Sequence, residues 1–446
     1  MTQPENHMHA DHAGTSNVND AADAHSLSTT GVEGKGALTG IPSQQWRHMQ
    51  RDALVEFSKN AQLPGGFGYL DANGKHQADH GVELWINGRF THVYACEVLR
   101  GNERARDLLD HGIHALLHSL RDPVNDGWFA AVTTNGQEPF TDADRIKQSY
   151  SHAFVVLAAA SALQAGHPQA QELLDAALGL TEKYWWEPQF GRVREAANED
   201  WSEFDSYRGI NANMHTVESF LAVYDATGQR RYLDRAVAIC RFVLEGARGN
   251  DWRIVEHYAQ DWTPQPEYNR DKPADPFRPF GATVGHAFEW ARLALQAAVV
   301  YSRLGEDVAW AQDAFNLIHA GVQDGWEVDG APGFVYTTDF EGRPVTHERM
   351  HWVVCEALNA AYVARHAQAE WGLEVDPKYE EWEAQWWQYA DKYLITAPGK
   401  WREELDQNNE LSEKTWTGMP EIYHAYQALV LPDGDYAVSF AEAAHA

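Results

Sequence analysis

The pattern of apolar and polar positions repeats six times from Gln44 onward. Each repeat begins with an amphipathic helix whose apolar residues fall at i, i+3, i+4 and i+7, so that one face stays polar. A second helix follows in each repeat, and it is apolar around most of its circumference, which is typical of a buried position. The amphipathic helices are predicted over residues 44–59, 103–120, 169–184, 230–245, 307–322 and 377–394. The apolar helices are predicted over residues 89–99, 152–165, 215–227, 286–304, 351–364 and 424–431.

An extended stretch joins the two helices of each repeat. Alternating side chains bounded by Asn-Gly or Glu-Gly predict short hairpins or long irregular loops. These stretches cover residues 65–75, 127–139, 191–201, 253–262, 333–344 and 400–409. The apolar helix that follows begins each time with a basic or imidazole side chain, and these side chains recur every 63 to 73 residues: Arg89, His152, His215, His286, His351 and His424.

This recurrence predicts the fold class. A period of 63 to 73 residues matches one helix–loop–helix hairpin per repeat. Six such hairpins can close into an all-α (α/α)6 toroid, with inner and outer helix rings and short β-hairpin loops at the mouth of the site. The alternative is an open helical solenoid, which needs polar capping helices that the sequence does not show. We expect a disordered N-terminal tail over residues 1–40, a single barrel domain over 41–435 and a C-terminal tail over 436–446.

Composition and charge make several functional classes unfavourable for this chain. The formal net charge of −30 argues against binding to nucleic acid or to an anionic membrane surface. No apolar run approaches the roughly 20 residues that span a bilayer, and the N-terminus lacks a secretory signal. The three cysteines lie in apolar helical patterns, as reduced core thiols of a cytosolic protein do. We therefore expect a cytoplasmic protein with a small-molecule partner, and both a monomer and a homodimer fit the sequence.

The residues that begin the apolar helices are candidates for chemistry. Ring closure would gather five imidazoles and the Arg89 guanidinium at one mouth, where buried polar groups without a purpose would cost stability. His215 and His286 are each followed by a glutamate at i+3, Glu218 and Glu289, and such pairs either bind a metal or orient the imidazoles and sugar hydroxyls. His152 and His351 precede strongly apolar runs and are interpreted as core or second-layer residues. Motifs of serine hydrolases, P-loop proteins and dinucleotide-binding proteins are absent from the sequence.

Seven short segments between Trp85 and Ala425 carry a family resemblance: WINGRFTHVYA, KQSYSHAF, NANMHTVE, FRPFGATVGHAFEW, MHWVVCEALNA, KWREELD and MPEIYHA. In this order they resemble the N-acylglucosamine 2-epimerase family, and most of all its branch of aldose–ketose isomerases, which includes mannose isomerase and sulfoquinovose isomerase. The resemblance implies an (α/α)6 barrel that isomerises sugars reversibly. It also implies no redox cofactor and no catalytic metal.

The resemblance further implies roles for individual residues. His286 and His424 would form the acid/base pair, and His215 would assist them. Side chains that would hold the sugar hydroxyls are Arg89, Tyr150, Asn211, Glu289 and Arg278. Two more contacts are expected from the residues themselves: Trp85, one turn before Arg89, as a wall of the site, and Glu404 as an acid at its mouth. The isomerase branch often has a histidine before Glu-Leu-Asp in the late loop, whereas this chain has Glu403 before Glu404, so the contacts of this loop are expected to differ.

The expected reaction is reversible isomerisation of a free monosaccharide, D-mannose to D-fructose and also D-lyxose, through a cis-enediol. Imidazole suits this reaction because its pKa near 6.5 lets it act as acid or base near neutrality. The alternatives are a 2-epimerase of mannose, glucose or N-acylglucosamine, and a sulfoquinovose isomerase. An inverting glycosidase and a sugar-binding toroid are alternatives from other classes.

Overall fold

The computed structural model describes residues 38–445, and the helices of this range form two concentric rings. Residues 1–37, most of the predicted N-terminal tail, lie outside the described residues, as does Ala446. The α-helices of the described range, in chain order, are α1 Gln44–Ser58, α2 Leu84–Leu99, α3 Arg106–His114, α4 Ser149–Gln164, α5 Ala170–Leu180, α6 Ile210–Thr227, α7 Arg230–Arg248, α8 Val284–Arg303, α9 Gln312–Gly325, α10 His351–Glu370, α11 Lys378–Tyr389, α12 Tyr423–Val430 and α13 Phe440–Ala443.

The even-numbered helices α2 to α12 form the inner ring. Each packs against the next one, and α12 packs against α2, which closes the ring. The outer helices α3, α5, α7, α9 and α11 each pack on the inner helix that precedes them, and α1 packs on α12. Arg47 of α1 fixes this last contact, because its guanidinium donates to the Leu429 carbonyl at 3.2 Å and to the Asp433 carboxylate at 2.7 Å. The predicted (α/α)6 toroid is confirmed.

Short strands line the end of the toroid at which the inner helices begin. They are β1 Gln62–Leu63, β2 Gly66–Phe67, β3 Val82–Glu83, β4 Ala131–Val132, β5 Lys147–Gln148, β6 Trp186–Glu187, β7 Arg192–Val193, β8 Ala196–Ala197, β9 Arg208–Gly209, β10 His257–Tyr258, β11 Ala282–Thr283, β12 Thr337–Thr338, β13 Pro344–Thr346, β14 Arg349–Met350, β15 Ile395–Ala397, β16 Lys400–Trp401 and β17 Glu404–Leu405. All of their pairings are antiparallel.

The strand pairings link neighbouring repeats. β3, β5, β9, β11 and β14 each lead directly into an inner helix, and each pairs with the extended stretch of the following repeat. Local hairpins, the arrangement that the sequence predicted, form at β1–β2, β6–β7, β12–β13 and β15–β16. Between the last repeat and the first, the Tyr69 hydroxyl donates to the Thr417 carbonyl at 2.8 Å, and Met419 N–H donates to Leu70 at 3.0 Å. The rim is therefore tied together around the whole mouth.

Two asparagines at equivalent positions hold the rim to the inner helices. The Asn87 side chain accepts from Phe67 N–H at 2.7 Å and donates to the Phe67 carbonyl at 3.0 Å. Asn213 bonds both backbone groups of Val193 in the same way, at 2.9 and 3.2 Å. An amide side chain that satisfies both groups of one residue replaces a strand partner, so each asparagine fixes the height of its loop above its helix.

Several inner helices begin earlier than the sequence predicted. α2, α4 and α6 start three to five residues before Arg89, His152 and His215, because strand pairing fixes the preceding residues and the helix begins directly after them. Arg89 and His215 consequently lie in the second helical turn, whereas His351 and His424 lie in the first. The six residues that recur in sequence therefore do not all occupy the same depth.

The C-terminal segment packs under the inner ring. The sequence predicts a tail over residues 436–446, and in this segment helix α13 contacts α2, α4 and α6. Ser439 N–H donates to Asp225 at 2.7 Å, and Phe440 is 4% exposed, with its ring 5.7 Å from the Arg292 guanidinium. The segment thus covers the end of the inner ring opposite the rim. The three cysteines are buried free thiols.

No helix among the described residues combines the length and the apolar character that crossing a lipid bilayer requires.

Candidate active site

A cavity opens where the inner helices begin, with about 60 Å³ of space for the centres of water-sized molecules. Its walls come from α2, α4, α6, α8, α10 and α12 and from the loops of the rim. The lining residues on which the chemistry depends are Arg89, His215, His286, Glu289, Glu421 and His424. Ring closure therefore brings imidazoles that are up to 209 residues apart in sequence to one space.

His286 and His424 are each held by a buried carboxylate. Nδ1 of His286 lies 3.0 Å from both carboxylate oxygens of Glu256. Nδ1 of His424 lies 2.9 Å from Oε1 of Glu356, whose other oxygen accepts from Arg292 Nε at 2.8 Å. A carboxylate on Nδ1 keeps the proton on that nitrogen, which leaves the Nε2 lone pair free. Neither Nε2 has a hydrogen-bond partner among the described residues, so both are available to a molecule in the cavity.

The ring of Trp352 contacts both imidazoles. Its ring centroid is 5.5 Å from that of His286 and 5.7 Å from that of His424. Gly285 makes room for it, because a Cβ at this position would collide with the indole. The glycines before His286 predict a close approach of the backbone to a ligand. At Gly285 the structure instead shows a close contact with Trp352.

His215 lines the cavity and belongs to a buried cluster of ionisable side chains. Its Nδ1 lies 3.3 Å from Glu218 and 3.7 Å from Glu289. The predicted His215–Glu218 pair thus forms. Glu289 lies near His215, whereas the sequence paired it with His286. The Arg292 guanidinium lies 3.7 Å from Glu289.

One group of side chains among the described residues could hold a metal ion, because its ligand atoms lie within 4.8 Å of one another. It consists of His215, Glu218 and Glu289. The positive charge of Arg292 already compensates these carboxylates. Gln427 also donates to Glu218 at 3.1 Å. These groups are therefore better suited to a hydrogen-bond network that orients His215 than to binding a cation.

Arg89 is enclosed by aromatic rings. Its guanidinium carbon lies 5.0 Å from the ring of Trp85, 4.5 Å from that of Phe154 and 4.7 Å from that of Tyr423. It donates to Glu421 at 2.9 Å and to the Tyr150 hydroxyl at 3.2 Å. The side chain is therefore fixed in place, and the cavity gains one rigid positive charge.

Burial controls the protonation states of the site. It lowers the pKa of His215 to about 4. Burial, and then the positive charge of Arg89, lower the pKa of His424 well below its ordinary value. Burial and the carboxylate of Glu356 raise the pKa of Glu289 well above its ordinary value. These shifts favour the neutral form of His215 and His424, which can accept a proton, and the protonated form of Glu289.

The structure brings most of the predicted site residues to this cavity, but two lie elsewhere. Trp85, Tyr150 and Asn211 line it together with Arg89 and the three histidines. Glu404 does not: its oxygens accept from the Ser412 hydroxyl and from the backbone N–H groups of residues 414–416, so it organises its own loop. Its neighbour Glu403 lines the cavity in its place.

Arg278 lies in a second, outer cavity next to the first. Its guanidinium stacks on the ring of Tyr207 at 4.0 Å and lies 3.5 Å from the Glu195 carboxylate. His152 and His351 lie behind the wall of the inner cavity, as interpreted from the sequence. His152 Nε2 is 2.9 Å from the Thr181 hydroxyl, and His351 Nδ1 is 3.2 Å from Glu403.

The carboxylates that hold the two histidines were not predicted from the sequence. Glu356 lies in the apolar helix α10. A charged residue in a pattern that is otherwise buried could have indicated that it has a role in the site. Glu256 lies in an irregular loop and gave no such signal. Trp352, Phe277 and Trp416, which also line the cavity, could not be separated from the many structural aromatic residues of the chain.

Comparison with known families gives a match over almost the whole barrel. The model of the N-acylglucosamine 2-epimerase (GlcNAc 2-epimerase) family matches residues 65–428. A D-mannose isomerase of Thermobifida fusca is 45% identical over 392 residues, which cover 87% of this chain and 93% of that protein. A D-mannose isomerase of Pseudomonas cannabina pv. alisalensis is 42% identical over 404 residues, which cover 90% and 94%.

Solved structures give the same fold. A crystal structure of a D-mannose isomerase superposes with a TM-score of 0.78 and 26% sequence identity, over 87% of this chain and 97% of that one. The cellobiose 2-epimerase of Spirochaeta thermophila DSM 6192 superposes with a TM-score of 0.72 over 86% and 96% of the two chains. At 18% identity, this second likeness concerns the fold alone.

Proposed function

Because the chain belongs to the N-acylglucosamine 2-epimerase family, we propose that it is an aldose–ketose isomerase that interconverts D-mannose and D-fructose. One observation carries the proposal: two imidazoles, each oriented by a buried carboxylate on Nδ1, share one cavity and both contact Trp352. The relatives named D-mannose isomerase match over nine-tenths of their length or more, which supports the same reaction for this chain.

The proposed chemistry is a proton transfer between adjacent carbons. In the open-chain aldose, Nε2 of one histidine removes the proton from C2, and the electrons of that C–H bond form the C1–C2 double bond. The π electrons of the C1=O bond move to O1, which takes up a proton and completes the cis-enediol. The proton removed from C2 then goes to C1, and the hydroxyl proton at O2 leaves as the ketone forms at C2. The second histidine moves the protons on the sugar oxygens, including those transferred when the pyranose opens. His286 and His424 fill these two roles.

The remaining groups bind and stabilise. Arg89 carries the positive charge beside the developing enediolate and positions its oxygens. Glu289 lines the cavity, and its carboxyl group can bond a sugar hydroxyl. His215 lies between Glu289 and Glu218 and supports this contact.

The charge of the cavity favours a neutral sugar over a sulfonated one. Glu403 and Glu421 line it, and Arg89 already pairs with Glu421. Two other arginines of the rim are also paired: Arg208 is 1% exposed and bonds Glu187 at 2.9 Å, and Arg278 lies 3.5 Å from Glu195. An anionic substituent would lack a free cationic partner among these residues.

Incubation of the purified protein with D-mannose in D2O tests the proposal. We expect D-fructose that carries solvent deuterium at C1 to the extent that the histidine exchanges its proton during the reaction. Glucose with deuterium at C2 and no ketose would instead indicate a 2-epimerase. If neither mannose nor lyxose is converted while an oligosaccharide is hydrolysed, the isomerase proposal is wrong.

A further inference from the structure

Helix α8 connects the cavity at the mouth of the toroid with the C-terminal segment at the opposite end. His286, Glu289, Arg292 and Gln296 recur along it every three or four residues, so they lie on one side of the helix. A helix rises by about 1.5 Å per residue, which places Gln296 roughly 15 Å further from the mouth than His286. Gln296 is 3% exposed, and it takes no part in the proposed proton transfers.

The amide of Gln296 forms hydrogen bonds on both of its sides. Its oxygen accepts from Arg292 Nη1 at 3.2 Å. Its NH2 group donates to the Tyr436 carbonyl at 2.9 Å and to the Val438 carbonyl at 3.5 Å. Because the oxygen and the NH2 group are both engaged, only one orientation of the amide satisfies these partners. The backbone of the C-terminal segment thereby fixes the acceptor that faces Arg292.

The C-terminal backbone that holds this amide is itself anchored to the inner ring. Ser439 N–H donates to Asp225 of α6 at 2.7 Å. Arg303 of α8 donates to the Asp435 carboxylate at 2.6 Å. The carbonyl groups that accept from Gln296 therefore belong to a segment that is fixed at both ends.

Arg292 connects Gln296 with the carboxylate that orients His424. Its Nη1 donates to Gln296 and its Nε donates to Glu356 at 2.8 Å, whereas Nη2 has no hydrogen-bond partner in the described part of the chain. A guanidinium is planar and rigid, so a bond at Nη1 also sets the direction of the Nε–H group. Glu356 in turn lies 2.9 Å from Nδ1 of His424. One chain of hydrogen bonds thus runs from the C-terminal backbone to the imidazole.

Resting on the proposed function, we propose that Gln296 is a positioning residue for His424, and that the C-terminal segment acts on the active site through it. Without the amide, Arg292 keeps one of its two hydrogen bonds and can turn from Glu356 toward Glu289, which lies 3.7 Å from Nη2. The Glu356 carboxylate then loses its fixed partner, and Nδ1 of His424 loses its fixed acceptor. The fraction of molecules in which Nε2 of His424 can accept a proton falls.

The variant Gln296→Met tests this assignment, because methionine has a similar length and lacks the amide. One hydrogen bond to a charged group is equivalent to about tenfold or more in an equilibrium constant, so we expect kcat for mannose isomerisation to fall about tenfold. KM should change by less than about threefold, because the side chains that line the cavity are unchanged and only the chemical step is affected. Initial rates over a range of mannose concentrations measure both quantities.

A double-mutant cycle with Glu356→Gln separates positioning from general destabilisation. If Gln296 acts through Glu356, the double variant should have the kcat of Glu356→Gln alone, within about threefold, because the chain of hydrogen bonds is already interrupted. If Gln296 only supports the fold, the two losses should multiply, and the assignment is wrong.

The variant Gln296→Glu tests the part played by the C-terminal segment. Its carboxylate retains an acceptor for Arg292, whose positive charge keeps it ionised, and it has no N–H group for the Tyr436 carbonyl. We expect kcat to fall by about tenfold in this variant as well, because the carboxylate faces carbonyl oxygens and loses its anchor. A native kcat would show that the bond to the segment is dispensable, and the segment would then have no role in the active site.

Gln50→Met is the matched control for Gln296→Met. Gln50 is 3% exposed on α1 and accepts from Gly399 N–H at 3.0 Å, away from the cavity. It should lower the free energy of unfolding similarly and leave kcat unchanged. Far-UV circular dichroism and urea denaturation establish that each variant is folded. If Gln296→Met does not fold, Gln296→Asn replaces it, since a shorter amide cannot bond Arg292 and the segment at once.

Two further outcomes overturn the assignment. One is a folded Gln296→Met protein with native kcat. The other is an equal loss of kcat in Gln50→Met, which would show that activity follows stability. Failure of the wild type to convert mannose at all is a different result, because it contradicts the proposed function and not the role of Gln296.

Discussion

Replacing Glu356 by glutamine tests whether the carboxylate fixes the proton on His424. In the native protein one carboxylate oxygen lies 2.9 Å from His424 Nδ1 and the other accepts from Arg292 Nε at 2.8 Å. Glutamine has the same shape, but it offers only one oxygen and one NH2 group. One of the two neighbours must therefore face a donor in place of an acceptor.

Both orientations of the amide impair the site. If the oxygen faces Arg292, the NH2 group faces His424 Nδ1, the imidazole proton moves to Nε2 and the base is lost from the cavity. If the amide flips, the NH2 group faces the buried Arg292 donor, which costs about 1.5–3 kcal/mol for the lost charged hydrogen bond. A cost of 3 kcal/mol limits the competent orientation to about 1% of molecules, since about 1.4 kcal/mol corresponds to a factor of ten.

We therefore expect kcat for mannose isomerisation to fall by about 10- to 100-fold in Glu356→Gln, as a cost of about 1.5–3 kcal/mol implies. The free energy of unfolding should fall by about 2–3 kcal/mol, because Arg292 is 1% exposed and loses its charged partner. Initial rates of ketose formation and urea denaturation measure the two quantities.

Glu383→Gln is the matched control for Glu356→Gln. Glu383 is 2% exposed and accepts from Arg365 at 2.9 Å, on an outer helix away from the cavity. It should lower stability similarly and leave kcat unchanged. If folded Glu356→Gln retains more than a tenth of the native kcat, the carboxylate does not set the tautomer of His424.

Three further predictions concern the cavity. His286→Ala and His424→Ala should each lower kcat by about 10² to 10⁴ if they carry the proton transfers; a folded His424→Ala protein with near-native ketose formation would remove that role. Arg89→Lys should raise KM and lower kcat, each by about tenfold, because a planar fork that holds Glu421 and Tyr150 becomes a point charge; initial rates over a range of mannose concentrations measure both, and an unchanged KM would speak against a contact with substrate. The acidic limb of kcat/KM should lie below pH 6.5, because burial and Arg89 lower the pKa of His424 and a base works only in its neutral form; a pH profile with the limb at or above 6.5 would contradict His424 as the base.

The sequence predicted the architecture because the pattern that specifies it is local. An inner helix is apolar on nearly all sides and an outer helix on one side, and both patterns are visible within a single segment. The helix starts were less predictable. α2 begins at Leu84 and not near Arg89, because β3 pairs with β4, a strand about 50 residues away.

The site was predictable in its histidines but not in their partners. The i+3 spacing correctly predicted the His215–Glu218 contact, yet the same spacing after His286 did not produce a contact with Glu289. The residues that hold His286 and His424 come from 30 and 68 positions away, and only the closed ring brings them together. Adjacent side chains in an extended segment point to opposite sides, so only one of Glu403 and Glu404 can face the cavity. The sequence does not show which side of this segment faces the cavity.

The contact between α1 and α12 affects when the enzyme can complete its folding during synthesis. Arg47 and Leu429 are 382 positions apart, and Arg89 and Glu421 are 332 apart. Pairings this distant must wait until the later partner has been synthesised, and they are slow to form because a long loop has to close. A nascent chain that lacks the residues beyond about 420 has neither His424 nor the seam that joins the two ends of the toroid. Sugar therefore cannot assist the early stages of folding, and activity should appear in a single late step.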